Sequence, residues 1–100
     1  NMKFYVKVYR FPPELLIAAC DEKVYGRIYK ENGLVLKGDK KFYGDELMTE
    51  KETQKLLKQA SMANLLGKNI VKQGIDIGII NSDNVIVAEG VPHAQMVQIL

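Results

Sequence analysis

The side chains with the most chemical capacity lie in one segment near the C-terminus, Gly90-Val91-Pro92-His93-Ala94-Gln95. His93 is the only histidine of the chain, and imidazole exchanges protons near neutral pH. It can therefore act as a general base, a proton donor or a hydrogen-bonding reader of a base edge. Gly90 permits backbone angles closed to other residues, or the close approach of a partner. A catalytic histidine needs a nucleophile or a substrate-bound water, and a group that fixes its tautomer. Asp21, Asp45 and Asp76 are candidate orienting carboxylates, but nothing in the sequence brings any of them to His93. Two readings follow: a hydrolase centred on His93, or a histidine satisfied structurally or donating at the surface.

A second set is Lys3, Tyr5, Lys7 and Tyr9, followed by Arg10. If helices cover only one side of the sheet, these residues stand in a row on the other. Lysines pair with phosphates, and tyrosine rings stack on unpaired bases at about 1–3 kcal/mol each. That is the recipe of a single-stranded RNA platform. The plainer reading is that Tyr packs well in strands and Lys is the ordinary solvent-facing choice, especially on an edge.

A third set is Asn64 with Gly67. Between two helices the amide can cap the chain and the glycine can admit a tight helix–helix contact. The functional alternative is an amide and free backbone N–H groups at the mouth of a cleft. Asp21-Glu22 reads as a turn or helix cap, and Gly26 closes that irregular piece. Cys20, the only cysteine, lies in an apolar stretch. One thiol makes no internal disulfide, and one Cys with one His makes no usual zinc site, so a buried inert thiol is expected. No phosphate loop, dinucleotide fingerprint, nucleophile elbow or HExxH is present. Gly74-Ile75-Asp76-Ile77-Gly78 lacks the strand-to-helix context of a phosphate cradle. The sequence thus assigns no catalytic residue and calls for no metal and no cofactor.

These residues need elements to hold them. Phe4, Val6 and Val8 alternate with Lys3, Tyr5, Lys7 and Tyr9, the period of a half-buried strand. Pro12-Pro13 breaks the ladder, and Leu15 to Cys20 has no polar face, which predicts a strand buried on both sides, with a short helix as the alternative. Arg27 to Glu31 and Leu34 to Lys37 flank Asn32-Gly33, the strongest short hairpin signal. Phe42-Tyr43-Gly44 reads as a loop or short strand whose rings pack back onto the sheet. Thr49-Glu50-Lys51-Glu52 fits a capping box, and Leu56, Leu57, Ala60, Ala63 and Leu66 recur at helical spacing with lysines opposite. Asn64 and Gly67 suggest a break, a second helix runs from about Lys68, and Gly78 ends it. Asn81 to Asn84 is a turn and Val85 to Ala88 a strand. Gly90 to Leu100 is read as a strand, with a short helix started by Pro92 as the alternative. The sum is one α+β domain over residues 1–100: a mixed or antiparallel sheet with two helices packed on one face, a two-layer sandwich.

The composition is that of an ordinary globular chain, 100 residues with 47% hydrophobic and 26% charged. A net charge of +2 does not demand nucleic acid as a partner. No apolar run approaches the ~20 residues that span a bilayer. No basic region followed by an apolar stretch and cleavage site opens the chain, so a cytoplasmic location is expected; Met2 reads as the natural start, with Asn1 an added residue.

Met2-Lys3-Phe4-Tyr5-Val6-Lys7-Val8-Tyr9, then Leu16 to Glu22 with Gly26, resembles the archaeal domain-of-unknown-function family 424. So do Phe42-Tyr43-Gly44, Ala63-Asn64-Leu65-Leu66-Gly67, and Asp83-Asn84-Val85-Ile86 leading to Gly90-Val91-Pro92-His93-Ala94-Gln95. The resemblance spans essentially the whole chain, with Pro-His-Ala-Gln its most specific element. It implies an archaeal cytoplasmic α+β protein, loosely associated with RNA or translation, and supplies no reaction. Three functions are therefore carried forward. The first is a small RNA-binding or translation-associated module, using Lys3, Tyr5, Lys7, Tyr9 and Arg10, with His93 and Gln95 at a specificity-bearing edge; its partner would be RNA or a ribosome-associated protein. The second is a protein-interaction module or homodimer using a strand edge or the run Met96-Val97-Ile99-Leu100. The third is the hydrolase centred on His93.

Overall fold

The computed structural model describes residues 1–99, and any reading that falls on Leu100 lies outside them. The strands predicted on either side of the prolines are β1 (Lys3–Phe11) and β2 (Glu14–Asp21), and they pair antiparallel, Phe11 facing Glu14. The hairpin β3 (Ile28–Glu31) and β4 (Leu34–Lys37) forms at Asn32-Gly33, both with positive φ (51° and 84°), as a type I′ turn requires. A short helix α1 (Lys40–Tyr43), strand β5 (Leu47–Thr49) and helix α2 (Glu50–Gln59) follow. The capping box holds: Thr49 N–H donates to Glu52 Oε1 at 2.9 Å, and Glu52 N–H to Thr49 Oγ1 at 3.1 Å. Then come β6 (Met62–Leu66), α3 (Lys68–Asp76), β7 (Ile86–Ala88) and β8 (Val91–Val97).

Two elements differ from the sequence reading. The helix does not run on to Leu66; it stops at Gln59, and Met62–Leu66 is a strand. Ala60, Ala63 and Leu66 match a helical spacing, yet a short apolar run buried on both sides satisfies either period. The chain leaves the helix at Ala60 (φ −70°, ψ 142°), and Ser61 Oγ accepts the Leu15 N–H at 2.9 Å, which starts the strand beside β2. Phe42-Tyr43 belongs to a helical turn, not a loop or strand, because Asp39 caps it by accepting the Lys41 N–H at 3.0 Å.

The six-stranded sheet has the order β5-β1-β2-β6-β8-β7; β2 and β6 are parallel and the other pairs antiparallel. Helices α2 and α3 cover one face with Leu57, Ile70 and Val71 against Phe4, Val6, Ile17, Ala19 and Leu65. The β3–β4 hairpin and α1 lie over the other, where Val24, Leu36 and Tyr43 meet Ala18, Cys20, Leu66 and Val91. The α+β class and the two helices on one face are as expected; the second face is roofed over part of its area as well. Across it the register lines up Tyr5, Cys20, Leu66, His93 and Ile86, and beside them Lys7, Ala18, Asn64 and Gln95. Among the described residues no helix is long and apolar enough to cross a membrane.

Candidate binding site

The hairpin must be anchored before it can roof anything. Gly26 N–H donates to the Gly38 carbonyl at 2.7 Å, and Gly38 N–H to that of Arg27 at 2.8 Å. A Cβ on Gly38 would collide with the Val24 carbonyl, so only glycine closes this neck. At the far end Lys30 N–H donates to Glu89 Oε2 and Glu89 N–H to Glu31 Oε1, both at 2.7 Å. Glu89 and Gly90 (φ 50° and 78°) are the two turn residues between β7 and β8, so Gly90 serves the turn that ties hairpin to sheet.

Under this roof the tyrosine row is covered. Tyr5 stacks on Tyr25 with centroids 3.6 Å apart and planes 9° from parallel. Tyr9 stacks on Phe42 at 5.7 Å and donates its hydroxyl to the Phe42 carbonyl at 2.7 Å. Lys7 Nζ donates to the Lys41 carbonyl at 3.1 Å. Each ring thus has a protein ring on the side where a base would stack. Lys3 stays exposed in line with Lys7, but Arg10 is one residue out of phase, on the face of Phe4, Val6 and Val8. The five platform residues therefore do not form one open row.

With Gly26 and Gly90 at the ends of the hairpin, the other motif residues separate into two groups. Asp21, Gly67 and Pro92 build the start of α3. The Asp21 carboxylate accepts the N–H groups of Asn69 and Ile70, each at 2.9 Å, capping the helix from a neighbouring strand. Burial pushes this carboxyl up against the two amide hydrogen bonds that pull it down. Gly67 passes so close that a Cβ would overlap Asp21. Its N–H donates to the Pro92 carbonyl at 2.9 Å. Proline has no N–H to return, which frees the Gly67 carbonyl to accept from Val71 at 3.1 Å as a first helical bond.

Asn64, His93 and Gln95 meet elsewhere, on the hairpin side. The register sets Asn64 opposite Gln95 and Leu66 opposite His93. Asn64 lies on β6, not between two helices, and its side-chain oxygen takes two contacts: Tyr43 Oη donates to it at 2.6 Å and His93 Nε2 lies 3.1 Å away. An amide oxygen only accepts, so His93 carries its proton on Nε2 and Nδ1 keeps a lone pair. Burial depresses the His93 pKa, favouring the neutral ring. Burial likewise raises that of Tyr43 far up, so its hydroxyl stays a donor. Asp21, Asp45 and Asp76 make no hydrogen bond to His93. Tyr43, Asn64 and His93 line a pocket of about 290 Å³ with Val35, Leu36, Phe42 and Leu66 as apolar walls and Lys37 and Asp39 charged, while Gln95 lies outside it, exposed. Next to it a groove of about 500 Å³ carries Arg27, Lys37, Lys40 and Lys41 against one carboxylate, Asp39.

Tyr43 and the basic groove escape sequence reasoning. Phe42-Tyr43-Gly44 is visible as a motif whose rings pack inward, but the hydroxyl's partner lies on a strand that reads as helix. The basic signal, Lys37-Gly38-Asp39-Lys40-Lys41, is a short charge run of ordinary kind. Cys20 is fully buried, and desolvation pushes its thiol up to about 12. No cluster of His, Cys, Asp or Glu suited to a metal occurs among the described residues.

A mixed sheet with helices on one face, and on the other an aromatic hairpin roof over a polar pocket, defines a small α+β module. The chain belongs to the family described as "Protein of unknown function (DUF424)", whose model matches residues 9–99. The fold is shared with a crystal structure described as "an uncharacterized conserved protein from Methanopyrus kandleri". The two agree with a TM-score of 0.77 and 24% sequence identity over 94% of this chain and 90% of that one. No curated protein matches the chain.

Proposed function

We propose that the protein is a small RNA-binding module that holds the phosphate backbone along the basic groove at the neck of the hairpin. What supports the reading is the charge there: Arg27, Lys37, Lys40 and Lys41 stand against Asp39 alone in a chain whose net charge is only +2. All four cations are exposed, as phosphate contacts require. Lys7 lines the adjoining groove with Lys40 and Lys41, where Asp45 and Glu46 also lie, so the lysine of the strand-one row borders this surface while its tyrosines serve the roof. Affinity should fall steeply with salt through counterion release, with a slope of about −0.7 per neutralised phosphate of a single strand. The test is fluorescence anisotropy of a short single-stranded RNA over a salt series, with Lys40→Glu/Lys41→Glu beside Lys3→Glu. The reading expects the pair to weaken binding at least tenfold and flatten the salt slope, with Lys3→Glu near wild type. No binding at low salt, or equal binding by the double variant, overturns it.

A second reading, the homodimer, rests on the exposed apolar side chains Phe11, Val97 and Ile99 (54%, 65% and 91%). Sedimentation over a wide concentration range tests it: a dimer supports it and a persistent monomer removes it.

A further inference from the structure

We propose that the outer edge of β8 pairs antiparallel with the same edge of a second copy of this chain, across a twofold axis at Val97. The inference rests on the homodimer reading and names its interface. β8 runs from Val91 to Val97, but β7 pairs only with its first part, Val91 to His93. The Pro92 carbonyl and the Gln98 N–H bond inward, to Gly67 and Ser61 at the two ends of β6. Backbone groups of successive strand residues point to opposite sides, so Gln95 and Val97 turn their N–H and C=O groups outward, where β7 has ended. Those groups have no backbone partner among the described residues. Ile86 already stands opposite His93. The register that pairs most of the free edge therefore sets Val97 opposite the partner's Val97 and Gln95 opposite the partner's Ile99.

Unpaired strand backbone takes another strand, and folded chains guard such edges with charged side chains, prolines or bulges. The other open edge of the sheet is guarded in this way. Beyond Val6, whose N–H still reaches the Glu46 carbonyl, β1 carries Lys7 and Arg10 exposed and runs into Pro12-Pro13. Ala94 to Ile99 holds no charged residue. A charged peptide or an RNA finds no counter-charge there, whereas the segment laid antiparallel on its own copy opposes no like charges. Val97 and Ile99 are exposed apolar side chains of this segment. Val97 also stands in the register row of Leu16 and Met62, which are half-buried and lie outside the aromatic cluster under the roof. Pairing across Val97 joins two such rows into one apolar floor. One short strand edge lies at the small end of specific interfaces, so the dimer should be weak and strongly concentration-dependent.

The experiment is sedimentation equilibrium of the full chain over a wide concentration range, with Val97→Lys and Phe11→Lys beside the wild type, and amide hydrogen exchange of the unaltered protein at low and high concentration. Val97→Lys sets two ammonium groups opposite one another on the axis, and Phe11→Lys alters an exposed apolar side chain outside the edge. Both positions are exposed, so both variants should keep the wild-type urea midpoint. The expected result is a wild-type dimer, weakened roughly tenfold or more by Val97→Lys and unchanged by Phe11→Lys, with amide exchange of Gln95 and Val97 slowing as concentration rises. A dimer that Val97→Lys leaves intact, or that forms without slowing those two amides, overturns the β8 interface and leaves the homodimer reading standing. A wild-type chain that stays monomeric at every concentration overturns both.

Discussion

The two faces of the sheet are built from different materials. The helix face is apolar and closed: Phe4, Ile17, Leu57, Leu65 and Ile70 are fully buried there. The hairpin face is aromatic and polar, with Tyr5, Tyr9, Tyr25, Tyr29 and Phe42 only partly buried around Cys20 and Tyr43. An apolar layer sealed by helices stabilises a fold and leaves nothing to bind. A roof held by a glycine neck and two carboxylate ties leaves gaps, lined by Tyr43, Asn64 and His93 in one and by the cations in the next. On the proposed reading, stability and recognition lie on opposite sides of one sheet.

The largest effect that sharpens this contrast is Leu57→Ala on the helix face. Removing a fully buried leucine there should cost about 2–5 kcal/mol, read by urea unfolding. RNA affinity at a temperature where the variant stays folded should be unchanged; a loss of affinity at full foldedness would break the division.

Two groups of the other face make stability depend on pH. The folded pKa of Cys20 is pushed from 9.0 to about 12. Above pH 9 the unfolded chain ionises while the folded one cannot, so stability falls as pH rises, by about 1.4 kcal/mol per unit from this group. His93 has its folded pKa lowered. The unfolded chain then binds a proton first, and stability is lost as pH falls below 6.5. Urea midpoints across the range should peak between these limits. Cys20→Ala should remove much of the alkaline arm; an alkaline arm left intact would contradict the assignment.

Smallest is Tyr43→Phe, which deletes one hydrogen bond to Asn64 at about 1 kcal/mol. Its signature is local: the His93 ring resonances should shift and its titration change, while far-UV dichroism stays the same. Unchanged His93 signals would show that the hydroxyl does not position the amide.

Where the cause is local, the sequence carried it. Asn32-Gly33 specifies the hairpin, and Thr49 with Glu52 starts α2, because a turn or cap needs only its own neighbours. β6 was illegible, since Ala60, Ala63 and Leu66 satisfy a helix as well as Ala63 and Leu65 satisfy a buried strand. That one ambiguity hid the site: Asn64 meets His93 only if β6 pairs with β8, 29 residues apart in sequence. The covered tyrosines were legible only as a condition, because period-two alternation gives the face of Tyr5 and Tyr9 but not what lies over it. Asp21, Gly67 and Pro92 stood out as a motif, but their joint role at the head of α3 needs strand β2 beside strand β6.

The helices are the sharpest competitor for RNA, because Lys51, Lys55, Lys58, Lys68 and Lys72 are also exposed. The most direct measurement is an amide chemical-shift map of the protein titrated with single-stranded RNA. The account predicts that the perturbed amides lie around Arg27 and residues 37–43, with α2 and the outer side of α3 silent. Perturbations confined to the helix lysines, with residues 37–43 unmoved, would contradict it.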